Sequence, residues 1–278
     1  MNDRSRPSGT DNAAVEAAPS RSTNTGPAAK PLLRLDNVSK QFGKLTAVDQ
    51  LSFAMMPGEL HAVIGPNGAG KTTFFNLITG LHPPTAGQVW FLEHNITRRS
   101  VIERVHRGIV RTFQITEVCP ELSVFQNIRL GVETAVGVNA KPWIPRIKRL
   151  AIADRVEQLI DIVDLGGKET RIVGELAHGD QRVVEVAMAL SLRPRLLLLD
   201  EPTAGMGDSE TEHMVRLVQR LHSEQGVSIL FIEHDMDIVF GIAQRITVLD
   251  QGRMIADGSP QAIATNPQVQ VAYLGQVQ

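Results

Sequence analysis

From Leu32 onward the apolar residues fall into two rhythms. Leu33, Leu35 and Val38, then Leu51, Phe53 and Met55, recur near every second position, the spacing of strands with one face on a core and one in water. Leu60–Ile64, Leu196–Leu199, Val227–Ile232 and Ile246–Leu249 are instead short, largely unbroken apolar runs, as strands covered on both faces require. Helical spacing appears between them, in Val156, Leu159, Ile160 and Val163, in Val183, Val186, Ala187 and Leu190, and in Met214, Leu217, Val218 and Leu221. Residues 114–191 carry few strand signals and read as helix and loop. The pattern predicts an α/β fold: a catalytic core of residues 32–113 and 192–278 with a helical subdomain, 114–191, inserted into it. No internal repeat is present.

Residues 1–31 break both rhythms. They are rich in Ser, Pro, Ala, Asn, Thr and Gly and lack aromatic or β-branched clusters, so they cannot bury enough apolar surface to offset their ordering entropy. A disordered N-terminal extension is expected there. The charge is nearly balanced, 28 Lys and Arg against 30 Asp and Glu, which argues against a basic nucleic-acid footprint. One cysteine, Cys119, excludes an internal disulfide and fits a reducing compartment. No apolar run approaches the ~18–20 residues that span a bilayer, and the start of the chain has no apolar segment like a signal peptide. If the protein works at a membrane, another chain does the spanning.

The candidate chemistry begins directly after Leu60–Ile64, with Gly65-Pro66-Asn67-Gly68-Ala69-Gly70-Lys71-Thr72-Thr73. A strand, a glycine-rich loop and a helix opening at Lys71 form a phosphate cradle: glycines allow a tight loop with inward N–H groups, and the helix adds its positive end. Lys71 reaches the β- and γ-phosphates, and the Thr72 hydroxyl is placed to ligate Mg²⁺. The chain is therefore expected to bind a nucleoside triphosphate. Leu196–Leu199 leads into Asp200 and Glu201, two acids at the carboxyl end of a buried strand, where open α/β sheets place their ligands. Asp200 suits Mg²⁺, and Glu201 can orient and deprotonate an attacking water. Two adjacent carboxylates repel unless a cation lies nearby, which on sequence grounds points to a metal.

Five motifs in order carry a resemblance: the phosphate loop, Arg111-Thr112-Phe113-Gln114, Leu176-Ala177-His178-Gly179-Asp180-Gln181, Leu199-Asp200-Glu201-Pro202-Thr203 and Glu233-His234-Asp235. From about Leu32 to its end the chain resembles the ABC transporter ATPases. It looks most like the ATP-binding subunits of branched-chain amino acid importers, through Gly108–Gln114, Glu201–Met206, Glu233–Asp237 and the terminal Ala272-Tyr273-Leu274-Gly275. The resemblance implies a P-loop ABC-type ATPase core with an antiparallel β-subdomain and an inserted helical subdomain. It implies that Gln114 touches Mg²⁺ and the attacking water, that His234 contacts the γ-phosphate, and that Phe42 stacks on adenine. Ala177, His178, Gly179 and Asp180 would then face the nucleotide of a second, identical or related ATPase subunit, so that two ATP molecules lie sandwiched in a dimer.

The chain departs from the family at Ala177, where serine is usual, and at His178, where glycine is usual. It departs again after Glu201, where Ala204-Gly205-Met206-Gly207 delays the acid to Asp208. His178 either supplies the phosphate donor that Ala177 lacks or faces solvent or the permease. The expected partners are transmembrane permease subunits and, indirectly, a solute-binding protein, with no nucleic acid; the expected place is the cytoplasmic face of the inner membrane, held peripherally. Ile115, Val118, Leu122, Val124 and Phe125 are candidate permease contacts. The implied work is ATP hydrolysis coupled to uptake of branched-chain or other hydrophobic amino acids. The alternatives are a cassette for urea, short amides or another small solute, and a soluble non-transport ATPase.

Overall fold

The computed structural model describes residues 30–112, 118–138 and 145–274. Most of the extension expected at 1–31 lies outside them, as do Phe113 and Gln114. The chain opens with strands β1 (Leu33–Phe42), β2 (Leu45–Met55) and β3 (Leu60–Ile64), helix α1 (Lys71–Thr79), strands β4 (Ala86–Phe91) and β5 (His94–Asn95), helix α2 (Val101–His106) and strand β6 (Ile109–Arg111). Helices α3 (Val124–Ala135), α4 (Arg146–Ile162) and α5 (His178–Ser191) follow, then β7 (Leu196–Asp200), α6 (Asp208–Ser223), β8 (Ser228–Ile232) and α7 (Met236–Ile242). The chain closes with β9 (Arg245–Asp250), β10 (Arg253–Gly258), α8 (Pro260–Ala264) and α9 (Pro267–Leu274).

Two sheets organise these elements. An antiparallel sheet has the order β2-β1-β4-β5, and a six-stranded sheet has the order β10-β9-β3-β8-β7-β6. In the second, β9, β3, β8, β7 and β6 run parallel and β10 closes one edge antiparallel. The unbroken apolar runs are explained by two cores, one on each face of this sheet. Leu197, Leu199, Ile229 and Phe231 join a core with the helices α3 to α6, while Leu196, Leu198, Leu230 and Ile232 join one with α1 and the antiparallel sheet. Successive residues of a strand point to opposite faces, so both parities must be apolar when both faces are covered. The helices of the middle segment hold no separate core: Val124, Ile128, Val156, Leu159 and Val183 pack in the same cluster as Ala62 and Leu197.

The helical patterns land where the spacing puts them. The buried residues of α6 are Met214, Leu217, Val218 and Leu221, and Val156, Leu159 and Ile160 are buried on α4. Helix α5 begins at His178, earlier than its apolar rhythm suggests, so His178, Gly179 and Asp180 form its first turn. Among the described residues no helix is long and apolar enough to cross a membrane.

Candidate functional site

The parallel sheet brings the carboxyl ends of β3, β7 and β8 side by side, and the loops that leave them surround a cleft of about 490 Å³. Asn67, Gly68, Ala69, Gly70, Lys71, Thr72 and Thr73 line it from the glycine loop, Glu201 from the end of β7, and His234 from the end of β8. The loop is braced from behind. A Cβ on Gly65 would lie 2.1 Å from the Leu249 carbonyl oxygen, and one on Gly70 would lie 2.5 Å from that of Ala47. Both glycines also hold positive φ, so no other residue fits either place without moving backbone. The Gly252 N–H donates to the Ala69 carbonyl (3.0 Å), which ties the loop to the β9–β10 turn.

Lys71 bends back over this loop and donates its ammonium to the carbonyls of Gly65 (2.5 Å) and Pro66 (3.1 Å). Gly65 and Pro66 thus sit beneath the cleft rather than in its wall. Burial lowers the Lys71 pKa from its ordinary value, and the negative charges of Glu201 and Asp200 act against that shift. Glu201 takes φ +49°, a left-handed conformation that costs a residue with a side chain about 1–2 kcal/mol. Its N–H donates to the Ile232 carbonyl (3.0 Å), which holds the turn and directs the carboxylate into the cleft. There His234 Nε2–H donates to Glu201 Oε1 at 2.9 Å. The two expected catalytic groups therefore meet, although β7 and β8 are separated by a whole helix in sequence.

Asp200 lies deeper, its side chain 1% exposed against 7% for its ion-pair partner Arg111. Arg111 donates to Asp200 Oδ2, donates also to Asn76 Oδ1 (2.6 Å), and lies over the Phe75 ring at 5.5 Å. This corrects the electrostatic argument made from sequence. The cations that relieve the Asp200–Glu201 pair are side chains of the protein, the Arg111 guanidinium behind and the Lys71 ammonium in front, so repulsion alone does not call for a metal. A different observation does. Asp200 Oδ1 is buried without a hydrogen-bond partner, and leaving such an oxygen unsatisfied is costly. Asp200 itself does not line the cleft, whereas Thr72 does, and a carboxylate and a hydroxyl oxygen are donors that suit a hard cation such as Mg²⁺.

Other expected residues lie elsewhere. Phe42, 42% exposed, does not line the cleft; its ring meets the edge of His82 (5.2 Å between centroids) with the Lys40 ammonium over its face at 4.9 Å. The same hairpin lines the cleft with Leu45, which is 66% exposed, and with Thr46 and Ala47. None of Ala177, His178, Gly179 and Asp180 lines the cleft either. The Gly179 N–H donates to Glu210 Oε1 (3.0 Å) of helix α6, and Lys168 pairs with Asp180 at 2.6 Å. The exposed His178 ring lies 3.7 Å from where a Cβ on Gly205 would stand.

A second concavity, an apolar groove of about 300 Å³, separates α1, α2 and β6 from α3 and α5. Leu81 and Leu130 are exposed in it, and Arg111 and Thr112 border it just before Gln114. The apolar residues chosen from sequence as permease contacts mostly face inward instead. Val124 is buried, and Val118 and Phe125 pack against the core, while Ile115 lies outside the described residues.

Sequence reasoning gave no role to Arg111, Leu45 or Glu210. Of these only Glu210 left a local signal: an acid three residues after Gly207 starts a helix by capping it, and Glu210 accepts from the Gly207 N–H at 3.2 Å.

A glycine loop between a parallel strand and a helix, with an acid pair at the end of the strand two places along the same sheet, defines a phosphate-loop ATPase. The antiparallel sheet and the helices α3–α5 narrow the class. Residues 48–204 match the family model described as ABC transporter, and residues 253–277 match one described as branched-chain amino acid ATP-binding cassette transporter. The high-affinity branched-chain amino acid transport ATP-binding protein LivG of Escherichia coli (strain K12) is 36% identical over 254 residues, which cover 89% of this chain and 99% of LivG. BraF of Pseudomonas aeruginosa, described in the same words, matches with the same identity and coverage. A crystal structure of the ADP conformation of an ABC transporter cassette superposes with a TM-score of 0.77 at 31% identity, covering 88% of this chain and 99% of that one. The chain belongs to the ABC transporter family, as one of its ATP-binding and ATP-hydrolysing subunits.

Proposed function

We propose that this chain drives an importer of branched-chain or other hydrophobic amino acids by hydrolysing ATP on the cytoplasmic side of the membrane. The observation that carries the catalytic part is the meeting of Lys71, Thr72, Glu201 and His234 around one cleft. The solute is supported by the likeness to LivG and BraF along nearly their whole length, and by the C-terminal match.

In the proposed mechanism the loop amides from Asn67 to Thr73 and the Lys71 ammonium bind the phosphates, Lys71 leaving its loop carbonyls to do so. The Thr72 hydroxyl, Asp200 and Gln114 hold Mg²⁺, which supplies charge neutralisation at the phosphate oxygens. Glu201 takes a proton from water as the water oxygen bonds the γ-phosphorus; the bond to the β–γ bridging oxygen breaks, and ADP departs. His234 orients Glu201 and donates to the γ-phosphate. Leu45 offers apolar contact to adenine, and Phe42 stacks on the base once its ring leaves Lys40 and turns into the cleft.

We read the chain as a catalytic core (32–113 and 192–278) and a helical subdomain (114–191) behind an N-terminal extension (1–31). Ala177–Asp180 serve the nucleotide of a second ATPase subunit, a reading supported by their absence from the walls of this chain's own cleft. The apolar groove, bordered by Arg111 and Thr112, receives a short helix of a transmembrane permease. Uptake of labelled leucine and of labelled urea by cells carrying or lacking the gene, with identification of co-purifying permease and binding-protein chains, tests the whole reading. Loss of leucine uptake supports it; loss of urea uptake alone replaces the solute.

A further inference from the structure

A second charged cleft lies at the far edge of the parallel sheet, where β6 and β7 begin rather than end. It encloses about 290 Å³, and its walls come from three parts of the fold. His94 belongs to the β4–β5 hairpin, His106 and Arg107 to the end of α2, and Arg193 and Arg195 to the turn between α5 and β7. No carboxylate lines it. Among the described residues none of Arg107, Arg193 and Arg195 has an ion-pair partner, although acids outnumber bases in the whole chain, 30 to 28.

Several features hold this charge in place at a cost. Arg193 keeps φ +52°, a conformation that glycine or asparagine adopts more readily. The Arg195 stem packs on Gly108, its Cγ 3.1 Å from where a Cβ would stand. A further guanidinium, Arg155 on α4, lies near enough to Arg193 that like-charge repulsion adds to burial in lowering its pKa, and its Nε is buried without a partner. Arg193 and Arg195 are exposed and Arg107 half-buried, and arginines that line one cleft without a carboxylate in its walls repel one another. The group that relieves them best is a phosphate, whose oxygens match the planar guanidinium fork in pairs.

We propose that this cleft is a second anion site, taking a phosphate-bearing group with at least two negative charges: a free phosphorylated small molecule or a phospholipid headgroup. It is separate from the ATP site, because the five residues of β7 carry the chain roughly 17 Å from Arg195 to the acid pair. Leu192 lines both this cleft and the apolar groove, so an anion bound here ties α2 to the α5–β7 turn at the foot of that groove.

The test is a calorimetric titration of inorganic pyrophosphate into the full-length protein saturated with ADP, so that the phosphate loop is filled. A parallel arm measures co-sedimentation with cardiolipin–phosphatidylcholine vesicles, whose anionic headgroup carries two phosphates, against phosphatidylcholine alone. The combined variant Arg107→Gln, Arg193→Gln and Arg195→Gln is expected to weaken binding by about tenfold or more, and the matching Lys variant to retain most of it. ADP affinity reports that the variants are folded; should the Gln variant lose it, Arg107→Gln alone takes its place. Arginine-dependent binding of pyrophosphate assigns the site to a free anion. Arginine-dependent binding of anionic vesicles without pyrophosphate binding assigns it to a headgroup. No binding in either arm, or equal binding by wild type and the Gln variant, overturns the proposal.

Discussion

On the proposed reading the phosphate-loop edge and the first turn of α5 both meet phosphate, yet they stand in opposite conditions. At the loop, Lys71, Thr72, Glu201 and His234 converge on one cleft from three elements of one chain. At α5, Ala177 brings no hydroxyl, Asp180 is neutralised by Lys168, and the Gly179 N–H is taken by the chain's own Glu210. At the loop the Lys71 ammonium rests on carbonyls of its own loop, and the swing of one flexible side chain frees it for the ligand. A half-site that waits for a partner satisfies its donors internally, and the internal acceptor has to yield when the partner arrives.

The largest effect that would break this contrast lies on the loop side. Glu201→Gln is expected to keep ATP binding and lower turnover by about 10²–10⁴-fold, the usual loss of a positioned general base. Phosphate release, with light scattering to follow the nucleotide-bound dimer, measures both; near-normal turnover would mean that another group activates the water. Next comes the buried pair behind the site. Arg111→Met leaves the Asp200 carboxylate without its cation, an error that costs about 3–5 kcal/mol in a buried pair. Chemical denaturation should show it, and a smaller loss in the presence of Mg²⁺ and a non-hydrolysable ATP analogue would mark the metal as taking over from the guanidinium.

The α5 side carries the subtler tests. Glu210→Gln keeps an acceptor for the Gly179 N–H but removes the charge, a difference of about 1 kcal/mol between charged and neutral hydrogen bonds. In the Glu201→Gln background, dimerisation should then need about fivefold less ATP. An unchanged ATP dependence would show that Glu210 does not compete for the site. The smallest effect is expected at His178, where His178→Ala should raise the ATP needed by about two- to fivefold, the size of one modest net hydrogen bond, and Ala177→Ser should restore it. No change would leave the backbone as the only donor there.

Much of the fold is legible in the sequence because burial on both sheet faces forces apolar residues at both parities, as in Leu196–Leu199. The strands that escaped notice are β4, whose first half is exposed, the three-residue β6, and β10 at a sheet edge, where no face needs a continuous apolar run. Helices α2 and α3 do announce themselves, by the capping boxes Ser100 with Glu103 and Ser123 with Gln126. At the site, the glycine loop and Asp200–Glu201 are readable because local spacing alone defines them. Arg111 against Asp200 and Glu210 against Gly179 are not, since each pair joins elements that only the tertiary fold brings together. Phe42 shows the same limit from the other side: a residue placed by motif still depends on its hairpin for where its ring points.

The order of strands across the parallel sheet bears on how the protein is made. Strand β3, which feeds the phosphate loop, lies between β8 and β9 and pairs with neither of its sequence neighbours. The loop itself leans on Leu249 and Gly252, and the Tyr273 hydroxyl near the end of the chain is buried beside Gly65, its pKa raised to about 12. A ribosome that has released the chain only through α6 has delivered the phosphate loop and the acid pair but none of these supports. The antiparallel sheet can form early, from contacts local in sequence, whereas ATP affinity has to wait for the last strands to emerge. Nucleotide binding is thus a late event in biosynthesis, and it distinguishes a finished subunit from a truncated one before either meets a partner.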